Sequence, residues 1–135
     1  MSNAIYDKGR EAFLNGGINW TSDTIKVYLV DTGAYTVNLS THQFASDVAT
    51  GSKIATSSAL TSKTTTAGVA DAADITFTAV TGTSCEALII WKDTGTQSTS
   101  PLIAYIDTAT GLPVTPNGGD VSVTFDNGSN KILKL

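Results

Sequence analysis

Residues 85–107 read CEALIIWKDTGTQSTSPLIAYID, two apolar runs separated by a polar, glycine-containing stretch. Each run, Cys85–Asp93 and Pro101–Asp107, is short, rich in branched and aromatic residues, and bounded by turn residues, which predicts a strand. The same pattern repeats on both sides of them. Strands are predicted at 52–58 (SKIATSS), 60–66 (LTSKTTT), 73–80 (ADITFTAV), 120–126 (DVSVTFD) and 130–135 (NKILKL). Ala67-Gly68, Gly82, Gly95, Gly111, Asn117-Gly118-Gly119 and Asn127-Gly128 supply the breaks between them. Upstream, Ile25, Val27 and Leu29 alternate with Lys26, Tyr28 and Val30, so residues 24–31 are predicted to be a half-buried strand. A strand fragment at 35–38 and a helical turn from Thr41 complete the middle of the chain.

One helix is expected, over 3–15. Ser2 or Asn3 can cap it and Asp7 lies in its early turns. Ile5, Gly9, Ala12 and Phe13 fall near one face, and Asn15-Gly16-Gly17 ends it. The expectation is therefore an all-β protein, a jelly-roll-like two-sheet sandwich of about eight strands with one short N-terminal helix, forming a single domain over 1–135. Composition agrees. About one residue in six is threonine and only 15% are charged, which suits a pleated sheet with an uncharged, hydroxyl-covered exterior.

Charge and composition also narrow the function. A net charge of −4 with eight scattered Lys and Arg argues against nucleic acid. No window approaches the ~18 apolar residues of a membrane span, and the N-terminus lacks the apolar core of a signal peptide. The chain is expected to be soluble and made in a cytoplasm, and the sequons at Asn19, Asn38 and Asn127 then carry no meaning. Cys85, the single cysteine, lies among apolar residues and reads as a small buried hydrophobe.

The chemistry-bearing motifs dissolve on inspection. LVDTGA at 29–34 is similar to the signature of retroviral-type aspartic proteases, and a second Asp-Thr-Gly begins at Asp93. Such a dyad needs two carboxylates ~3 Å apart. The chain is too short for a two-lobed enzyme, and the apolar-apolar-glycine segment of the single-lobed ones is missing: ALIIW runs on to Lys92. A third strand ends in AYIDTATG, so Asp31, Asp93 and Asp107 are read as recurrent turn residues bonding their own backbone. His42 is the only histidine, which leaves no triad or histidine-based zinc set. DNGSN at 126–130 has a faint calcium-loop look, but Gly128 stands at a ligand position and a hairpin accounts for it. Glu11 and Glu86 are the only glutamates, too few for a glycosidase pair without turn aspartates. Trp20 and Trp91 can stack on a sugar, though each adjoins a predicted strand and packing is the simpler role. No enzyme, cofactor or metal is expected.

Taken whole, the chain resembles small virion structural proteins of tailed bacteriophages. The likeness rests on NAIYDKGREAFLNGGINW (3–20), TIKVYLVDTGAYTVNL (24–39), GVADAADITFTAV (68–80), EALIIWKDTGT (86–96) and LIAYIDTATGLPVTPNGGDVSVTFDNGSNKILKL (102–135). The members it is most similar to are jelly-roll cement or decoration proteins. The resemblance implies a place on the capsid surface of the virion after assembly in the bacterial cytoplasm, with the phage major capsid protein as partner. It also implies a homo-oligomer, dimer or trimer, without nucleic acid or membrane. A carbohydrate-binding virion module and a tail or neck component are the alternatives. The helix and loops 94–100 and 108–119 are the expected contact regions, with Ile5, Tyr6, Phe13, Thr96, Gln97, Thr99, Leu112 and Val114 as contact residues.

Overall fold

The computed structural model describes residues 4–107, 109–125 and 132–134. Its organising element is a five-stranded antiparallel sheet, made of β1 (Ala4–Ile5), β2 (Ile25–Val30), β3 (Lys53–Thr56), β6 (Ala87–Lys92) and β7 (Leu102–Ile106) in the order β1-β7-β6-β2-β3. Two further ladders stand apart from it: β4 (Val69–Ala70) with β9 (Leu133–Lys134), and β5 (Ile75–Phe77) with β8 (Val121–Val123). Strands β4 to β9 therefore pair as nested antiparallel couples, β6 with β7, β5 with β8, β4 with β9, the pattern of one long hairpin wrapped on itself.

The central sheet is buried on both faces. Ile25, Val27, Leu29, Leu88, Ile90 and Ile103 face a large core completed by Ile75, Phe77, Val121 and Val123 of the β5–β8 ladder and by Ala70 and Leu133 of the β4–β9 ladder. Tyr28, Val30, Ala87, Ile89, Trp91, Leu102 and Tyr105 face a second, smaller core, roofed by Tyr6, Tyr35, Ala45 and Val48. The expected half-burial of residues 24–31 is thus corrected: only Lys26 of β2 escapes full burial, because the segment between β2 and β3 folds over the second face.

That roofing segment also explains a second correction. Residues 35–38 form no strand, and the helical turn lies at Ala45–Asp47 rather than from Thr41. Tyr35 points its ring into the small core instead of alternating along a ladder, and the Asp47 carboxylate accepts from the amides of Gln43 and Phe44 at 2.8 and 2.9 Å, closing the turn. The expected strand at 60–66 is likewise absent. Leu60 is its one apolar residue, Ser62 has φ +54°, and only Thr64 pairs, as an isolated bridge to Asp71. Leu60 alone reaches the large core, and without an apolar alternation the rest of the segment has no face to hold in a ladder. Short β4, unremarkable in sequence, pairs with β9.

The helix, α1 (Asp7–Leu14), begins four residues later than expected. Ala4 and Ile5 pair with Tyr105 and Ala104 as a strand, and Tyr6, extended and wholly buried, donates its amide to Ile103. Strand pairing and the buried ring together outcompete an earlier helical start. The expected capping residues Ser2 and Asn3 lie outside the described residues. The helix ends where expected, with Asn15 at the C-cap and Gly16 at φ +75°. The hairpin expected around 126–130 also lies outside the described residues.

Candidate functional site

Asp31 and Asp93 each close a turn at the end of a strand. Asp31 follows β2 directly; its Oδ1 accepts from the amide of Gly33 at 2.8 Å and its Oδ2 from the Thr83 hydroxyl at 2.7 Å. Asp93 repeats the arrangement after β6, accepting from the Gly95 amide at 2.8 Å and pairing with Lys26 at 2.7 Å. β2 and β6 run antiparallel, with Ile25 opposite Lys92 and Val30 opposite Ala87, so the two aspartates lie at opposite ends of the pair. Seven residues of strand separate those ends by about 20 Å. Within one chain they form no dyad. The third such residue, Asp107, precedes Thr108, which lies outside the described residues.

These carboxylates act in stability. Bonds from the Thr83 hydroxyl and the Gly33 amide hold Asp31 below the ordinary carboxylate range. The Lys26 ammonium and the Gly95 amide do the same for Asp93, and the amides of Phe44 and Gln43 for Asp47. A carboxyl whose folded value is depressed binds its proton more readily in the unfolded chain. Its stabilisation is complete above about pH 4 and is lost as pH falls through the folded value. Melting temperature is therefore expected to hold from neutrality to about pH 5 and to fall below pH 4. Asp31→Asn should make that fall shallower in a thermal melt series.

The expected contact residues divide sharply. Ile5 (8% exposed) and Tyr6 (0%) belong to the chain's own core, and Tyr6 donates or accepts a 3.0 Å bond with the Tyr35 hydroxyl, which meets His42 Nδ1 at 2.7 Å. They are corrected out of the contact set: Tyr6 has no free surface and Ile5 almost none, because both fill the chain's own cores. Phe13, Leu112 and Val114 are half-buried and pack on the large core. Thr96, Gln97 and Thr99 are exposed, on the loop between β6 and β7.

That loop is tightly pinned. Ser100, fully buried, donates its hydroxyl to Thr96 O at 2.7 Å and receives the Thr94 amide at 3.1 Å. The hydroxyls of Thr94 and Thr99 meet at 2.6 Å, and Lys53 Nζ donates to Gln97 Oε1 at 2.6 Å. Loop 109–119 is similarly tied: Thr110 bridges to Thr124, Val114 to Cys85, and Gly118 donates to Val80 O at 2.7 Å. Both loops thus present polar side chains on a fixed backbone, which lowers the ordering cost of binding. Leu14, 87% exposed at the end of α1, was missed by periodicity because it lies off the helix's packed face.

Other candidates are absorbed by packing. Trp20 and Trp91 are each 4% exposed, so neither offers a face to a sugar. Trp20 donates its indole N–H to Asp71 O at 3.1 Å, and Trp91 stacks on Tyr28 with centroids 4.5 Å apart. Cys85 is fully buried, and burial pushes its thiol up to about 11. Among the described residues no group of His, Cys, Asp and Glu side chains is arranged to hold a metal ion, and no helix is long and apolar enough to cross a membrane. No protein-family model matches the chain, and no curated protein matches it.

Proposed function

We propose that the chain is a non-enzymatic cement protein of a tailed-phage head. On this reading it is a jelly-roll-like two-sheet sandwich that binds the outside of the expanded shell as a dimer or trimer, with the major capsid protein as partner. The nested pairing of β4 to β9 supports the jelly-roll reading, because wrapping one long hairpin is how that fold arises. The observation that carries the functional reading is the pinned, uncharged loop 94–100, held in shape and exposed at Thr96, Gln97 and Thr99. A preorganised polar loop suits a modest interface repeated many times over a lattice. A protein that binds the assembled shell and not its separated subunits stabilises the shell by mass action.

The test is co-sedimentation with expanded, undecorated heads. Saturable binding at hundreds of copies per particle is expected, with a rise in particle melting temperature. Replacing Thr96, Gln97 and Thr99 together by alanine removes the Thr94–Thr99 and Lys53–Gln97 bonds along with the exposed side chains, and should lower occupancy at least several-fold while lowering the protein's own stability by only about 1–2 kcal/mol, both bonds being surface ones. A dozen copies or fewer per virion would place the protein at the neck or tail, and full occupancy by the triple variant would remove the loop from the interface.

A further inference from the structure

A groove of about 340 Å³ opens where the end of α1 meets the β4–β9 ladder, lined chiefly by Phe13, Ile18, Trp20, Ala70 and Leu133. Its size falls in the range of ligand pockets, roughly 300–1,000 Å³, which normally join apolar walls to a few aimed polar groups. Here the polar groups are already spent. Asn19, in the lining, gives its side-chain oxygen to the Thr21 hydroxyl and the Ser22 amide of its own turn. The Trp20 indole N–H is bonded to Asp71 O. Among the described residues no charged side chain lines the groove. Such walls suit a plain apolar side chain better than a polar ligand, whose groups would be buried without partners.

The chain carries such a side chain at the groove's rim. Leu14, 87% exposed, is the only large apolar residue left exposed among the described residues. Phe13 just before it and Gly16 just after it both line the groove, yet at that exposure Leu14 does not enter the groove of its own chain. Knob and groove thus sit side by side on one surface. A two-fold axis midway between them puts each copy's leucine into the other's groove, and the same contact forms twice. Charge permits the approach. Asp7 pairs with Arg10 and Lys8 with Glu11, so α1 carries no net charge although the chain as a whole carries −4.

We propose that this surface is a self-association interface, in which two copies of the chain meet about a two-fold axis with Leu14 of each seated in the groove of the other. The cement reading enters only as the place where the pair works. A leucine and its rim fall short of the roughly 800 Å² per partner of a stable interface. The contact is therefore weak between free copies, with a dissociation constant of about 0.1–1 mM, and gains occupancy where a lattice holds copies side by side.

Sedimentation equilibrium of the intact protein up to about 2 mM tests the contact, with the Trp20 indole N–H resonance followed over the same range. The average mass is expected to rise toward that of a dimer, and the resonance to shift with it. Leu14→Ser removes the knob, and Thr65→Glu sets a charge on an exposed residue of the groove. Each should raise the dissociation constant at least about tenfold. Both positions are exposed, so urea midpoints should stay near the parent's. A parent still monomeric at the highest concentration, a mass rising past the dimer, an unmoved Trp20 resonance, or undiminished association of either folded variant would overturn the interface. Undecorated heads separate the two readings. Full occupancy by a parent that stays monomeric retires the self-contact and leaves cement standing; a dimer that binds no heads does the reverse. Head binding by a monomeric parent that Leu14→Ser abolishes would give the groove to the shell protein and retire the self-contact as well.

Discussion

Ile89→Ala and Ile90→Ala, made separately, are each expected to lower the unfolding free energy by about 2–5 kcal/mol. The two residues are neighbours on β6 and point to opposite faces of the sheet, yet both are 0% exposed, Ile89 in the small core and Ile90 in the large one. On a sheet with one solvated face, one of the pair would be nearly silent, within about 0.5 kcal/mol. Urea unfolding of the two variants measures this directly. A large loss at Ile90 with a negligible one at Ile89 would mean that the roof of Tyr6, Tyr35, Ala45 and Val48 contributes no real core. Comparable losses would show that the segment between β2 and β3, irregular as it is, seals the second face.

The same residues show what was legible in the sequence. β6 and β7 read plainly as strands, because an apolar run between turn residues has few other uses, and β2, β3, β5 and β8 were placed within a residue or two at most ends. The turns at Asp31 and Asp93 were legible too, since an Asx-type bond is local chemistry written into four residues. What was not legible depends on partners far along the chain. Alternation in β2 suggests one wet face, and it takes the fold-back of residues 31–52, with the Tyr6 ring, to cover Tyr28 and Val30. Ile5 and Tyr6 have helical spacing with Phe13, but pairing with Tyr105 and Ala104 wins over it. Two-residue ladders such as β4–β9 lie below the length at which periodicity carries any signal. At the candidate site, exposure at Thr96, Gln97 and Thr99 followed from local polarity, whereas the burial of Ile5 and Tyr6 came from strand pairing with a segment far along the chain.

Gly9→Ala is expected to destabilise the protein by about 1–3 kcal/mol, against the usual sign for this substitution inside a helix. In an open helix, alanine in place of glycine gains about 1 kcal/mol from reduced backbone freedom in the unfolded chain. Gly9 is not open. A methyl group there would stand 2.7 Å from Leu102 O, 3.0 Å from Ile103 O and 3.2 Å from Ile103 Cα. All three are backbone atoms of β7, held by pairing to β6 and unable to turn aside as a side chain would. The helix must therefore lift, and the strain falls on the tie between the Asp7 amide and Leu39 O and on the Tyr6 ring in the small core. Gly51→Ala is the control: a methyl group there meets nothing within 4 Å, so it should be neutral or mildly stabilising. Urea midpoints of the two variants give the comparison, and limited proteolysis at residues 15–17 shows whether the helix has come away. A Gly9→Ala protein as stable as the parent would mean that α1 does not rest on β7 by backbone contact. The glycine would then need another reason to sit in the middle of the helix.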